Sequence, residues 1–120
     1  MNRKILVIED EKLLNDSISS FLSYSDFDVV SVYDGKKAVR EAKTHKPDLI
    51  LLDVMLPGIY GYEIAKEIRK FSEVPIVFLT SVEDTESRNK AFNSGATEYL
   101  SKSIDLNVLL KKINKILNIT

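Results

Sequence analysis

Residues 48–61, which read DLILLDVMLPGIYG, constrain the fold more than any other part of the chain. Residues 49–52 form a continuous apolar run of strand length, which is typical of a strand buried on both faces of a sheet. The run ends at the carboxylate of Asp53, and Pro57 and Gly58 predict a turn soon after it. Because open α/β sheets bind ligands at the carboxyl ends of their strands, this pattern predicts a functional acid there. The alternative at this point is that Asp53 only caps a loop.

Length, charge and cysteine content exclude several classes of protein. The chain has 120 residues, of which 44% are hydrophobic and 29% charged, so we expect one globular domain covering residues 1–120. Lys and Arg number 17 against 18 Asp and Glu, a balance that gives no support to direct binding of nucleic acid or a membrane surface. We expect neither a signal peptide nor a membrane span. The absence of cysteine excludes disulfides and is compatible with the cytoplasm, which is our predicted location.

Five apolar runs have the length of strands, and helical patterns alternate with them. The predicted strands cover residues 4–8, 29–32, 49–52, 76–79 and 98–100, and the predicted helices begin near Lys12, Gly35, Gly61, Glu83 and Asp105. Alternating strands and helices indicate an α/β fold with a parallel sheet and right-handed crossovers. We therefore predict a doubly wound, flavodoxin-like sheet of five parallel strands in the order 2-1-3-4-5, with five helices on its two faces.

Helical spacing predicts which side chains these helices bury. The first helix has apolar residues at Leu13, Leu14, Ile18, Phe21 and Leu22, and the third has them at Ile64, Ala65, Ile68 and Phe71. Gly95 is expected to cap the fourth helix at its carboxyl end. Asp105 is expected to cap the last helix at its amino end.

The predicted strand order brings polar side chains from distant parts of the sequence to one edge of the sheet. Glu9 and Asp10 follow the first strand, Asp53 the third, Thr80 the fourth and Lys102 the fifth. Clustered carboxylates repel one another, and their natural partner is a hard cation such as Mg²⁺. A hydroxyl and a mobile ammonium suit the oxygens of a phosphoryl group, and aspartate is a competent nucleophile toward phosphorus. The sequence therefore predicts phosphoryl chemistry with Mg²⁺ as the cofactor.

Other chemistry on this type of fold fails at specific residues. A dinucleotide or flavin phosphate site needs glycines or hydroxyls after the first strand, where the three acids of residues 9–11 would repel a phosphate. A phosphatase of the haloacid dehalogenase type needs an aspartate two residues after the nucleophile, but Met55 is there. A serine hydrolase is excluded because no Gly-x-Ser-x-Gly motif is present.

Four motifs together resemble the receiver domain of bacterial two-component response regulators. They are VIEDE at residues 7–11, LLDVMLPG at 51–58, FLTS at 78–81 and GATEYLSK at 95–102. Each motif alone is weak, but the four at their mutual spacing are highly specific, and the resemblance covers the whole chain. The resemblance implies a signalling domain that takes part only in its own phosphorylation and dephosphorylation, and it does not imply a turnover enzyme.

The resemblance also implies roles for individual site residues. Asp53 would be the phosphoacceptor, and Asp10 and Asp53 would bind Mg²⁺ directly. Glu9 would act through water, and the backbone carbonyl of Met55 would complete the protein's share of the metal shell. Thr80 and Lys102 would both hold phosphoryl oxygens.

The same resemblance implies a switch and a set of partners. Tyr99 fits the family's switch aromatic, which turns inward when Thr80 moves to the phosphoryl group, and the face made by the fourth helix, fifth strand and fifth helix would carry the output. The phosphoryl donor would be a sensor histidine kinase or a phosphotransfer protein, and the output would pass to an effector domain or protein. Many relatives dimerise through this face by complementary charges, but Val108 stands where an acid is expected. A homodimer formed on phosphorylation therefore stays an open alternative.

One departure from the family pattern concerns the loop after Lys102. The family usually has a cis proline after the site lysine, where this chain has Ser103. A cis peptide before a residue other than proline costs roughly 3 kcal/mol, against about 0.5–1 kcal/mol before proline, so we predict a trans bond. The departure also leaves an alternative function, in which a degenerate receiver binds proteins without being phosphorylated.

Overall fold

Five parallel strands form the central sheet in the computed structural model of the chain, which describes residues 2–119. The strands are β1 (Lys4–Ile8), β2 (Asp28–Val32), β3 (Leu49–Leu52), β4 (Ile76–Thr80) and β5 (Glu98–Ser101). Their order across the sheet is β2-β1-β3-β4-β5, and each neighbouring pair is parallel. The predicted doubly wound order 2-1-3-4-5 is therefore confirmed.

Five α-helices cover the two faces of this sheet, as predicted. They are α1 (Lys12–Tyr24), α2 (Ala38–His45), α3 (Gly61–Arg69), α4 (Thr85–Asn93) and α5 (Leu106–Ile116). Helices α1 and α5 pack on one face, and α2, α3 and α4 pack on the other. Among residues 2–119, no helix has both the length and the apolar character needed to cross a membrane.

The central strands are apolar at every position because both of their faces are covered. In β3, Leu49 and Leu51 point into the core beneath α1 and α5, whereas Ile50 and Leu52 point into the core beneath α2, α3 and α4. All four side chains are at most 2% exposed. Fully burying a side chain of this size stabilises the fold by about 1.5–3 kcal/mol. Packing on both faces of the sheet therefore holds β3 in place directly before Asp53.

A small antiparallel hairpin follows β3, and the sequence patterns did not predict it. Met55–Leu56 pairs with Ile59–Tyr60 around a Pro57-Gly58 turn, in which Gly58 has the positive φ of 78° that glycine favours in such turns. Strands of two residues are too short to show an alternating pattern. The hairpin returns the chain to the sheet edge, so that α3 begins beside the end of β3.

Two predicted core residues lie outside the core. Leu13 is 88% exposed, because at 3.6 residues per turn it lies about 140° around α1 from Ile18, which faces the sheet. Phe71 is 40% exposed, because α3 ends at Arg69 and Phe71 therefore lies in the loop beyond the helix.

The predicted helix caps are confirmed. Gly95 follows α4 with a φ of 106°, the left-handed conformation that ends many helices. The carboxylate of Asp105 accepts a hydrogen bond from the Asn107 amide at 2.7 Å. Helix α4 begins at Thr85, two residues later than predicted, because Asp84 caps it by accepting a hydrogen bond from the Ser87 amide.

Candidate functional site

The strand register brings Glu9 and Asp53 side by side. Ile8 of β1 is paired with Leu52 of β3, and the backbone N–H of Asp53 donates to the Ile8 carbonyl at 3.2 Å. The first residue after each strand therefore lies at the same edge of the sheet. Both residues are buried, at 4% exposure for Glu9 and 5% for Asp53.

Three carboxylates form a compact acidic cluster at this edge. Glu9, Asp10 and Asp53 each offer an oxygen, and the three oxygens lie within 4.8 Å of one another. Asp10 is half-buried beside its two buried neighbours. The donor set consists of hard oxygen atoms only, which is the set that Mg²⁺ prefers. The residues therefore fit the predicted metal.

Lys102 supplies the positive charge of the cluster. Its Nζ lies 2.7 Å from Glu9 Oε1, 2.8 Å from Asp53 Oδ2 and 3.1 Å from Glu11 Oε1. Burial lowers the pKa of Lys102, but the hydrogen bonds to Asp53 and Glu9 more than offset it and hold the pKa above its ordinary value. Burial raises the pKa of Glu9, although the hydrogen bond from Lys102 opposes that rise. One ammonium group thus bridges three acids.

Thr80 lies at the end of β4, and its backbone is hydrogen-bonded to the backbone of Lys102. The Thr80 carbonyl accepts a hydrogen bond from the Lys102 amide at 2.9 Å, so the two residues predicted to hold phosphoryl oxygens sit on adjacent strand ends. The Thr80 side chain is fully buried. Its Oγ1 accepts a hydrogen bond from the Val82 amide at 3.2 Å, and its hydroxyl hydrogen can still donate.

Tyr99 already lies inward in this structure, next to the same loop, so the inward turn that the resemblance implies for it on phosphorylation stays a prediction. Its ring is 6% exposed, and the ring centroid is 6.1 Å from that of Phe78. The Tyr99 hydroxyl donates to the Val82 carbonyl. Burial is the main cause that raises the pKa of Tyr99 to about 12. Val82 therefore contacts Thr80 through its N–H group and Tyr99 through its carbonyl, which links the two residues that were predicted to act as a switch.

The hairpin places Met55 at the margin of the site. Its side chain is 57% exposed and borders a cleft of ≈ 330 Å³, whose lining also includes Val54, Tyr60, Tyr62, Val82, Ser87 and Lys90. The role of the Met55 carbonyl as a metal ligand stays a prediction.

Gly61 permits the close approach of α3 to the site. Its N–H donates to the Val54 carbonyl at 2.6 Å. A Cβ atom at this position would lie 2.2 Å from the carbonyl oxygen of Asp53, which is far inside van der Waals contact. The absence of a side chain here therefore lets the hairpin and α3 close against the backbone that carries Asp53.

The Lys102–Ser103 peptide bond is trans, which confirms the prediction made from the missing proline. The Ser103 amide donates to Ser101 Oγ at 3.1 Å, and the two serine hydroxyls are 2.8 Å apart. With this trans backbone, Lys102 still reaches the acidic cluster.

Two polar residues at this edge were not assigned roles from the sequence. Glu11 contacts Lys102. The one sequence feature that pointed to a role for Glu11 is its position as the third acid in a row after β1. Asn15 is fully buried in α1, and its only signal was that an amide lies where the spacing calls for an apolar residue.

Comparison with known sequences gives consistent matches over nearly the whole chain. Residues 5–114 match the family model described as the response regulator receiver domain. The chain is 40% identical over 114 residues to response regulator ArlR of Staphylococcus saprophyticus, covering 95% of this chain and 52% of that protein. It is 33% identical over 120 residues to transcriptional regulatory protein CrdR of Helicobacter pylori, covering 98% of this chain and 56% of that protein. The chain thus spans about half the length of these relatives.

Solved structures match the fold closely. A two-component response regulator from Clostridium difficile superposes with a TM-score of 0.94 at 31% identity, covering 98% of this chain and 97% of that chain. The BeF3-activated N-terminal receiver domain of Klebsiella pneumoniae RstA gives 0.90 at 34% identity, covering 94% and 97%. A CheY-like receiver domain protein from Methanospirillum hungatei gives 0.94 at 23% identity, covering 98% and 95%, and supports the fold alone.

Proposed function

Because the chain belongs to the family of response regulator receiver domains of two-component systems, we propose that it accepts a phosphoryl group on Asp53 in the presence of Mg²⁺. The observation that carries the proposal is the Lys102 ammonium, which lies 2.8 Å from Asp53 and 2.7 Å from Glu9 in a cluster of three carboxylates. Receiver domains are signalling proteins and not classical enzymes. The proposed chemistry is accordingly limited to self-catalysed phosphorylation and dephosphorylation.

In the proposed step, a carboxylate oxygen of Asp53 attacks the phosphorus atom of the donor. An oxygen–phosphorus bond forms, and the bond from phosphorus to the donor atom breaks, with its electron pair leaving on the donor. The donor is a phosphohistidine of a sensor histidine kinase or phosphotransfer protein, whose imidazole nitrogen is then protonated. Asp10 and Asp53 would hold magnesium directly, Glu9 through water, and Met55 through its carbonyl. Bound magnesium would neutralise negative charge on the transferring group.

Lys102 and Thr80 are proposed to bind the oxygens of the new phosphoryl group. Lys102 would exchange part of its contact with the carboxylates for a phosphoryl oxygen, which carries more charge. Thr80 would donate its hydroxyl hydrogen and shift Val82, which contacts both Thr80 and Tyr99. A change at Asp53 would thereby reach Tyr99 and the face formed by α4, β5 and α5.

The competing proposal, a degenerate receiver that binds partners without phosphorylation, is not favoured. It rested on Ser103, and the trans bond before Ser103 still allows Lys102 to reach Asp53.

The proposed function is tested by incubating the protein with Mg²⁺ and acetyl phosphate and measuring its intact mass. We expect the mass of one phosphoryl group to be added, and we expect hydroxylamine to remove it, because acyl phosphates are labile to this nucleophile. A parallel sample in which EDTA replaces Mg²⁺ is the control and should stay unlabelled. If the protein gains no mass with Mg²⁺ present, the proposed phosphorylation is contradicted and the phosphorylation-independent alternative is favoured instead.

The output partner is proposed to bind the face formed by α4, β5 and α5. The curated relatives are about twice as long as this chain. The proposed partner is therefore an effector domain or a separate effector protein. One of these relatives is named a transcriptional regulatory protein, so regulation of transcription is one candidate for the output. We place this signalling in the cytoplasm and propose that the domain itself contacts neither nucleic acid nor membrane.

A homodimer is the alternative occupant of that face. Lys90, Glu98 and Lys112 supply charges on it, whereas Val108 is 44% exposed where an acid would complete the pattern. Because that charge is missing, we expect the phosphorylated chain to stay monomeric in sedimentation velocity, with the unphosphorylated chain as the control. A doubling of mass on phosphorylation would instead establish the homodimer.

A further inference from the structure

Asn15 is a fully buried polar residue on α1, the helix that follows Glu9 and Asp10 in the chain and packs against the sheet. Its Nδ2 group donates toward three backbone carbonyl oxygens: Glu9 at 3.0 Å, Val7 at 3.2 Å and Val32 at 3.2 Å. These carbonyls belong to the ends of β1 and β2, so a single side chain of α1 connects two strand ends at the edge of the sheet.

The other end of the amide is also satisfied. Asn15 Oδ1 accepts a hydrogen bond from Ser19 Oγ at 2.9 Å, and Ser19 Oγ lies 2.7 Å from Ser31 Oγ of β2. Because backbone carbonyl oxygens can only accept, the NH₂ group of the amide faces the three carbonyls, and its oxygen faces the Ser19 hydroxyl. A buried amide is costly unless all of its groups are paired, and this network pairs both ends.

Asn15 acts on the segment that carries two of the three carboxylates. Parallel pairing of β1 with β2 ends with the bond from the Glu9 N–H group to the Val32 carbonyl at 3.0 Å. Beyond that bond, the Glu9 carbonyl is held by Asn15. The Glu9 carboxylate, 2.7 Å from Lys102, and the following residue, Asp10, both project from this stretch of backbone.

We propose that Asn15 is a positioning residue that sets the magnesium affinity of the site by holding the Glu9 carbonyl and, through it, the carboxylates of Glu9 and Asp10. The proposal rests on the proposed function, because it takes the acidic cluster to be a magnesium site. Groups that orient metal ligands from outside the metal shell typically change metal affinity 10- to 100-fold when they are removed. Mg²⁺ is especially sensitive because it demands near-ideal octahedral geometry.

The test is a titration of the whole chain with MgCl₂. Binding is measured from the changes in backbone amide chemical shifts in NMR spectra of the folded protein. We expect Asn15→Ala to raise the magnesium Kd about 10-fold or more. Asn15→Ser keeps one hydroxyl donor, and we expect its Kd to lie between those of the parent and Asn15→Ala. The serine variant also keeps the test decisive if the alanine variant does not fold.

Ile18→Ala is the matched control, because Ile18 is buried on the same helix but packs in the core beneath α1 and α5. We expect Ile18→Ala to lower the stability of the fold by at least as much as the Asn15 variants, with the magnesium Kd unchanged. The positioning role is wrong if the Asn15 variants keep the parental Kd, or if Ile18→Ala raises the Kd as much as they do. The proposed function stands in either case. If the parent chain itself binds no magnesium, both proposals are overturned.

Discussion

The Asp53→Asn protein is expected to accept no phosphoryl group from acetyl phosphate under conditions that label the parent chain. The amide of asparagine carries no negative charge and is a poor nucleophile toward phosphorus, whereas a carboxylate forms an acyl phosphate readily. The substitution preserves the volume of a residue that is 5% exposed, so the packing around it should be retained. Intact mass spectrometry measures the result directly.

Loss of labelling in this variant must be separated from unfolding and from labelling at other acids. The fold should survive, because replacing one of three clustered carboxylates relieves repulsion while Lys102 still pairs with Glu9. Asp26→Asn is the control, since Asp26 has a φ of 70°, a conformation that asparagine tolerates, and it lies outside the cluster. This control should be labelled like the parent. Stable and complete labelling of the Asp53→Asn protein would show that another residue is the phosphoacceptor.

Lys102→Met is expected to lower the free energy of unfolding by about 3 kcal/mol at neutral pH without Mg²⁺. Methionine keeps the unbranched shape and most of the length of lysine but removes the charge. Glu9 and Asp53, both buried, would then be left without their shared cation. Removing one partner from a buried ion pair is costly because the remaining charge stays desolvated. Urea unfolding with and without Mg²⁺ measures the effect.

Magnesium should return part of that stability, because it binds the folded protein only and replaces the missing positive charge. Lys90→Met is the control, since Lys90 is exposed and its pairing with Glu86 at 3.5 Å lies within one helix. We expect this control to change stability by less than about 1 kcal/mol. A loss of the same small size in Lys102→Met would mean that solvent screens the Lys102 bridge as it screens a surface ion pair.

The sequence alone determined the fold and the location of the site. Continuous apolar runs such as residues 49–52 can be satisfied only when both faces of a sheet are covered, and alternation with helices then leaves few topologies. The topology in turn decides which residues meet, because the first residue after each parallel strand falls at the same edge. The proximity of Glu9, Asp53 and Lys102 therefore follows from the topology alone.

Local features without a repeating pattern were not predictable from sequence. The hairpin after β3 consists of two strands of two residues each. Strands this short show no alternation of apolar and polar residues in the sequence. The exposure of Leu13 is a different case, because the 3.6-residue period of α1 itself turns this residue about 140° away from Ile18, although its apolar character indicated burial. Phe71 was placed in the core by extending a helix that ends at Arg69. For Leu13 and Phe71, an apolar side chain indicated burial, whereas the position of the residue on its helix, or beyond the end of it, determined exposure.

The tertiary structure alone decided how the charges and hydrogen bonds of the site are shared. Lys102 contacts Glu11 across 91 positions of sequence, and Asn15 connects the ends of two strands. Such contacts depend on side-chain directions and on distances near 3 Å, which residue types and their spacing do not specify. Periodicity specifies which face of an element is buried, whereas the choice of partner for a buried polar group is made only when the elements pack together.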